Sequence, residues 1–196
     1  MLRRPLLALA VAGLVAGCVS LGPKPPEQLI GLSADARVPV GQSKTARDVE
    51  AVSVGLPALP AALRSQRIAA QTGTSFAYLA DVAWVDTPAQ MFRAVLAETI
   101  EAKTGRFVPD TRNPAITPDT RLSGTLSAFQ LLGGQGKVVV VFDATIARSG
   151  SDTIRARRFE ATSPVGSEKA AEVAAALNRA ANAVAGDVAD WVGSGQ

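Results

Sequence analysis

The only cysteine in this 196-residue chain stands at position 18, and that placement narrows the folds open to it more than any other feature. A lone thiol cannot form an intrachain disulfide, so the domain must be held together by packing alone. Ahead of the cysteine lie Arg3 and Arg4, then the ten-residue apolar run Leu6–Val15, then the small pair Ala16-Gly17. A charged start, a short greasy middle and small residues before a cut form the layout of a secretory signal. The run is about half the roughly 20 residues a helix needs to cross a bilayer. Residues 1–17 are read as a signal peptide.

Val15-Ala16-Gly17-Cys18 resembles the bacterial lipobox. That resemblance implies diacylglycerol on the Cys18 sulfur, cleavage at its amino side, and a further acyl group such as palmitate on the freed amine. Each buried methylene contributes about 0.8 kcal/mol, and two or more chains give stable membrane attachment. Val19 follows, where many Gram-negative lipoproteins kept in the inner membrane have Asp. The same sorting rule implies the outer membrane, with the domain facing the periplasm. The segment after it reads VSLGPKPPE, and its three prolines and glycine make a stiff tether. The chain thus divides into a signal peptide (1–17), a lipidated N-terminus with tether (18–26) and one domain (27–196).

Removal of the signal leaves 179 residues, enough for a single domain that buries roughly 70% of its unfolded surface. The mature part carries 18 basic and 17 acidic residues, a balance that gives no nucleic-acid footprint. Histidine is absent from the whole chain. This excludes Ser-His-Asp catalysis and nearly all zinc hydrolase sites. Acylated, Cys18 offers no thiol for metal or nucleophilic chemistry. Among the acids, Asp110 and Asp119 share a Pro-rich loop, and Asp187 and Asp190 fall near a helix end. They form no recognisable dyad. No residue is nominated as catalytic, cofactor-binding or metal-ligating.

Hydrophobic periodicity marks the elements. Short strands are expected within 27–32, 49–56 and 67–71, the first followed by a polar loop. Phe76, Tyr78, Ala80, Val82 and Trp84 alternate, which places three aromatic rings on one sheet face. Thr87-Pro88-Ala89-Gln90 reads as a capping box with Pro at the first helical position. Met91, Phe92, Val95, Leu96, Thr99 and Ile100 then form a helical stripe that ends at Gly105. Three strands joined by tight turns at 133–136 and 149–152 make an antiparallel meander over 121–162. Ser167 is read as the cap of a last, Ala-rich helix to about Val192. The expected fold is α+β: a mostly antiparallel sheet of about six strands with two helices packed on it.

Three features could carry function. Gly136-Lys137 suggests a phosphate loop, but Leu131, Val138 and the strand that follows break the motif, leaving a hairpin turn. Arg155, Arg157 and Arg158, with Arg148, could meet anionic headgroups or an acidic partner; a charge-guarded strand face is the plainer explanation. Phe76, Tyr78 and Trp84 could line a lipid groove, though a core face beneath the helix at 88–104 explains them more simply.

The lipobox, Leu63-Arg64-Ser65-Gln66-Arg67-Ile68, Phe76-Ala77-Tyr78, Trp84-Val85-Asp86-Thr87-Pro88, the Met91–Ile100 helix and Phe129 together resemble the ABC-type transport auxiliary lipoprotein family. Leu63 directly before Arg64, and Val85 after Trp84, depart from its usual pattern. The resemblance implies a non-catalytic accessory subunit working with an MCE-domain protein and an ABC transporter. Such systems move phospholipid or other hydrophobic molecules across the periplasm. It also implies a docking or end-piece role and a homo-oligomer. An assembly or plug lipoprotein for an outer-membrane β-barrel is the alternative. A periplasmic hydrolase using carboxylates fits least.

Overall fold

The computed structural model describes residues 26–45, 51–109 and 117–194, so the signal segment, Cys18, the tether as far as residue 25 and Asp110 lie outside the described residues. Seven strands form: β1 (Gln28–Ile30), β2 (Val52–Val54), β3 (Arg67–Thr72), β4 (Ser75–Trp84), β5 (Thr120–Leu132), β6 (Lys137–Arg148) and β7 (Ile154–Pro164). Among the described residues two α-helices accompany them, α1 (Pro88–Thr104) and α2 (Ala170–Gly193).

All seven strands share one sheet, ordered β1-β4-β3-β5-β6-β7, with β2 also paired to β5. The sheet is mixed, not mostly antiparallel as the local patterns suggest. β3–β4, β5–β6 and β6–β7 run antiparallel, whereas β1–β4, β2–β5 and β3–β5 run parallel. Parallel neighbours need a connection that returns the chain to the same end of the sheet. The segment containing α1 does this between β3–β4 and β5. Alternation identifies a strand but not its neighbour, which is why the pairing escapes the sequence.

The meander β5-β6-β7 forms as its turns dictate. Along β5 the buried positions change parity, from Leu122 and Leu126 to Phe129 and Leu131. A bulge at Ser127 causes the change: Leu126 pairs with Phe142, while Ala128 pairs with Val141. Both helices cover one face of the sheet. Phe92 of α1 meets Phe142 edge-on at 5.3 Å, and Trp191 of α2 meets Phe159 at 5.5 Å. The expected stripe of α1, from Met91 to Ile100, is buried. α2 buries Ala174, Ala176, Ala180, Ala181, Ala185 and Ala189. Small side chains let its backbone approach the strands and α1 closely.

The helix ends differ in detail from the sequence reading. Thr87 occupies the cap position with extended backbone, but its side chain makes no capping bond. Its N–H instead donates to Asp86 Oδ1 at 2.6 Å, so the capping box does not close. Gly105 terminates α1 in the left-handed conformation, as expected. α2 begins two residues later than Ser167 would dictate, with Lys169 at its cap position. Ser167 Oγ accepts from Lys169 N at 3.4 Å.

Residues 31–45 form a strap across the outer surface of the helices. Ser33 N and Asp35 N donate to Asn178 Oδ1 and Asn182 Oδ1, at 2.9 and 2.8 Å. Asn182 Nδ2 donates back to Ser33 O at 2.8 Å, and Val38 N donates to Glu98 Oε1 at 2.8 Å. Helix side chains thus satisfy backbone groups that a strand ladder would otherwise satisfy.

Gly124 shows how tightly β5 and β6 lie. A Cβ there would strike the Asp143 carbonyl and come within 2.8 Å of the Phe142 ring. Overpacking of this kind costs about 1–3 kcal/mol. Gly124→Ala is therefore expected to lower stability by that amount in urea unfolding; an unchanged midpoint would mean that β5 and β6 are spaced more loosely than described here.

Candidate functional site

The three aromatic residues singled out in β4 do not share a face. An advance of two positions along β3, from Arg67 to Ala69, answers one of five along β4, from Ala83 back to Tyr78. The excess of three is odd, so side-chain parity reverses across the bulge. Within it Asp81 takes φ +64°, the one non-glycine residue with positive φ among the described residues. Trp84 consequently points to the helix-covered face, is fully buried, and meets Phe129 at 5.6 Å. Its Nε1 finds no acceptor among the described residues. Tyr78 pairs with Ala69 and Phe76 with Gln71, on the opposite face. There Tyr78 is half-buried beneath the Arg67 guanidinium, 4.5 Å from its ring, and donates from its hydroxyl to Ala62 O at 3.1 Å. Phe76 is 44% exposed. A single aromatic lining for a lipid groove therefore does not form.

The four arginines are likewise divided. Arg155 and Arg157 pair with Ile146 and Ala144 on the helix-covered face, at its margin. Their guanidinium groups lie over Trp191 at 5.1 Å and Phe159 at 4.8 Å. Arg158 faces the other way and holds Asp143, with Nε 2.6 Å from Oδ1 and Nη2 3.2 Å from Oδ2. Ser127 Oγ donates to Asp143 Oδ2 at 2.7 Å. The Arg158 hydrogen bond holds the Asp143 carboxyl below its ordinary range, against the opposing effect of desolvation.

Arg148 sits elsewhere, in a cleft of about 680 Å³. Lys44, Glu101, Thr104, Arg106 and Asp119 line it as well. Arg106 is the buried member. Its Nη2 donates to Thr120 Oγ1 at 2.9 Å, Asp119 Oδ1 at 3.3 Å and Ala51 O at 3.4 Å. Burial lowers the Arg106 pKa, Asp119 opposes that, and the like charge of Arg148 adds to it. Lys44 Nζ meets Glu101 Oε1 at 3.0 Å. The carboxyl end of α1, at Thr104 and Gly105, also opens here and adds partial negative charge. Three cations thus face two carboxylates and a helix C-terminus. Chemically this is a balanced set of ion pairs that joins the strap, α1 and the start of β5.

Asp119 is placed in this cleft, while Asp190 pairs with Lys103 at 2.8 Å across the two helices. The two acids do not come together. Among the described residues, no group of three or more His, Cys, Asp or Glu side chains is placed to hold a metal ion. No helix there is long and apolar enough to cross a membrane. Gly133–Gly136 forms the β5–β6 turn, with Gly134 and Gly136 at positive φ.

Asn178 and Asn182 are the polar residues that sequence reasoning missed. Asn is a weak helix former, and two of them four apart in an otherwise Ala-rich helix mark a face that bonds something outside it.

A family model described as ABC-type transport auxiliary lipoprotein component matches residues 32–189. No curated protein matches the chain. Among solved structures, an uncharacterized protein aligns with a TM-score of 0.69 at 14% identity, covering 86% of this chain and 99% of its own. A Xanthomonas campestris protein assigned to family DUF330 aligns with a TM-score of 0.67 at 18% identity, covering 84% and 94%. At these identities the two structures share the fold.

The Asp143–Arg158 pair makes stability depend on pH in a definite sense. A carboxyl whose folded pKa is depressed contributes above its unfolded value, about 3.9, and that contribution fades as pH falls through the folded value. The melting temperature of the natural protein should therefore exceed that of Asp143→Asn at pH 6, and the gap should close toward pH 3. A gap that stays constant with pH would show that the pair contributes nothing through its charge.

Proposed function

We propose a function from one premise: the chain belongs to the ABC-type transport auxiliary lipoprotein family. The match along residues 32–189 carries this reading, because it spans nearly the whole domain. The protein serves as a non-catalytic, lipid-anchored accessory subunit of an ABC/MCE-type transport system. The cargo is phospholipid or another hydrophobic molecule crossing the periplasm. Cys18 supplies the anchor, and the outer membrane is its site. The domain is a docking or end-piece component that works with an MCE-domain protein, assembled as a homo-oligomer.

Several observations support this reading. The chain has no histidine. Glu101, Asp119, Asp143 and Asp190 are each engaged by a cation. A cleft of balanced ion pairs suits a docking module better than a reaction centre. From Cys18 to the start of β1 at Gln28 the chain advances ten positions, a reach of at most about 36 Å. That length holds the domain near the membrane.

Cys18→Ala tests the anchor. The natural chain should partition with membranes and carry acyl mass at its amino terminus, whereas the variant should appear soluble in the periplasmic fraction. Persistence of Cys18→Ala in the membrane fraction would contradict acyl anchoring.

A further inference from the structure

The sheet ends in two margins of opposite character. At one side, β7 presents eleven residues whose outer backbone edge has no partner strand among the described residues. At the other, β1 covers β4 at Val82–Trp84 and Glu27 N donates to Asp81 O at 2.8 Å, so Ser75–Ala80 of β4 has no partner strand on that side among the described residues. Unpaired edges are templates for another strand.

Side chains distinguish the two margins. Arg155 and Arg157 are fixed over Trp191 and Phe159, and neither meets a carboxylate among the described residues. Ile154, which begins β7, is 67% exposed. The β1–β4 margin presents exposed Asp81 and Asp86. Beside them lie Leu29, Phe76 and Val85, all substantially exposed. Four of the six large hydrophobic residues that are exposed among the described residues therefore lie on or next to these two margins.

We infer that copies of this chain meet edge to edge, with β7 of one copy lying against the β1–β4 margin of the next. This deepens the oligomer reading above and rests on it. Charge on an edge ordinarily guards against pairing, but the guard depends on sign. Two β7 edges paired antiparallel about Ala156 would set Arg155 against Arg157. A β7 edge against a β1–β4 margin sets arginine against aspartate, and Ile154 against Leu29 and Val85. Arg158 takes no part, since Asp143 already holds it. The stacked arginines are already ordered, so little rotamer freedom remains to be lost when they meet a carboxylate. Because the two surfaces differ, the contact is heterologous. It excludes an isologous dimer and either closes a ring or propagates.

The test uses the full acylated chain in detergent, its assembly mass read by sedimentation velocity at low and high salt. The natural protein should be larger than a monomer and should dissociate with salt. Arg155→Glu with Arg157→Glu should weaken assembly at least about tenfold. Asp81→Asn with Asp86→Lys should do the same; Asn at 81 tolerates the left-handed backbone. An equimolar mixture of the two variants should recover assembly, since each supplies the charge the other lacks. If charge reversal unfolds the protein by near-UV circular dichroism, Arg155→Ala with Arg157→Ala takes its place as the weakening variant, and the mixture, which needs the reversed charge, is then left out of the test. An assembly that neither pair of substitutions weakens would overturn the interface while keeping the oligomer. So would a mixture that fails to recover. A monomeric natural protein would overturn both, leaving the anchoring and transport readings in place.

Discussion

Phe92 against Phe142 and Trp191 against Phe159 fasten two helices to one face of a sheet, and the remaining architecture follows from keeping that face dry. Fully burying side chains of this size contributes about 1.5–3 kcal/mol each from apolar area alone. The contact needs a helix thin enough to lie close, which the alanines of α2 provide, and strands spaced closely, which Gly124 permits. Two bulges tune it further. The one at Ser127 keeps β5 feeding apolar residues inward after Leu126, and the one containing Asp81 turns Trp84 into the core. Both are local irregularities that serve the long-range packing.

Much of this was legible in the sequence, and the failures have definite causes. The stripe of α1, its Gly105 terminator and the three-stranded meander all rest on short-range periodicity and turn chemistry, and they formed where expected. The parallel neighbours were not legible, because pairing β3 with β5 depends on a crossover almost 50 residues long. The aromatic row of β4 was misplaced for another reason. Strict alternation assumes an unbroken pleat, and nothing between Tyr78 and Trp84 announces an odd number of extra residues. A positive φ at Asp81 is tolerable for that residue type but not signalled by it. The arginines were read as one group because they are close in sequence, although adjacent strand residues face opposite ways.

The anchor was read from a different kind of signal. Cys18 owes its assignment to processing chemistry, not to folding, so no packing argument bears on it. The domain contributes a rigid body whose ion pairs are largely internal: Lys44 with Glu101, Arg106 with Asp119, Lys103 with Asp190 and Arg158 with Asp143. Unsatisfied chemistry lies at the sheet margins instead. For an accessory subunit this is a sensible distribution, since recognition happens where backbone and charge remain available.

The claim at the centre of this account is that the domain serves a transporter assembly. Isolation of the native acylated protein from gently solubilised membranes, followed by identification of whatever accompanies it, addresses that claim most directly. The account predicts an MCE-domain protein together with its ABC transporter components. Recovery with an outer-membrane β-barrel in their place would contradict it.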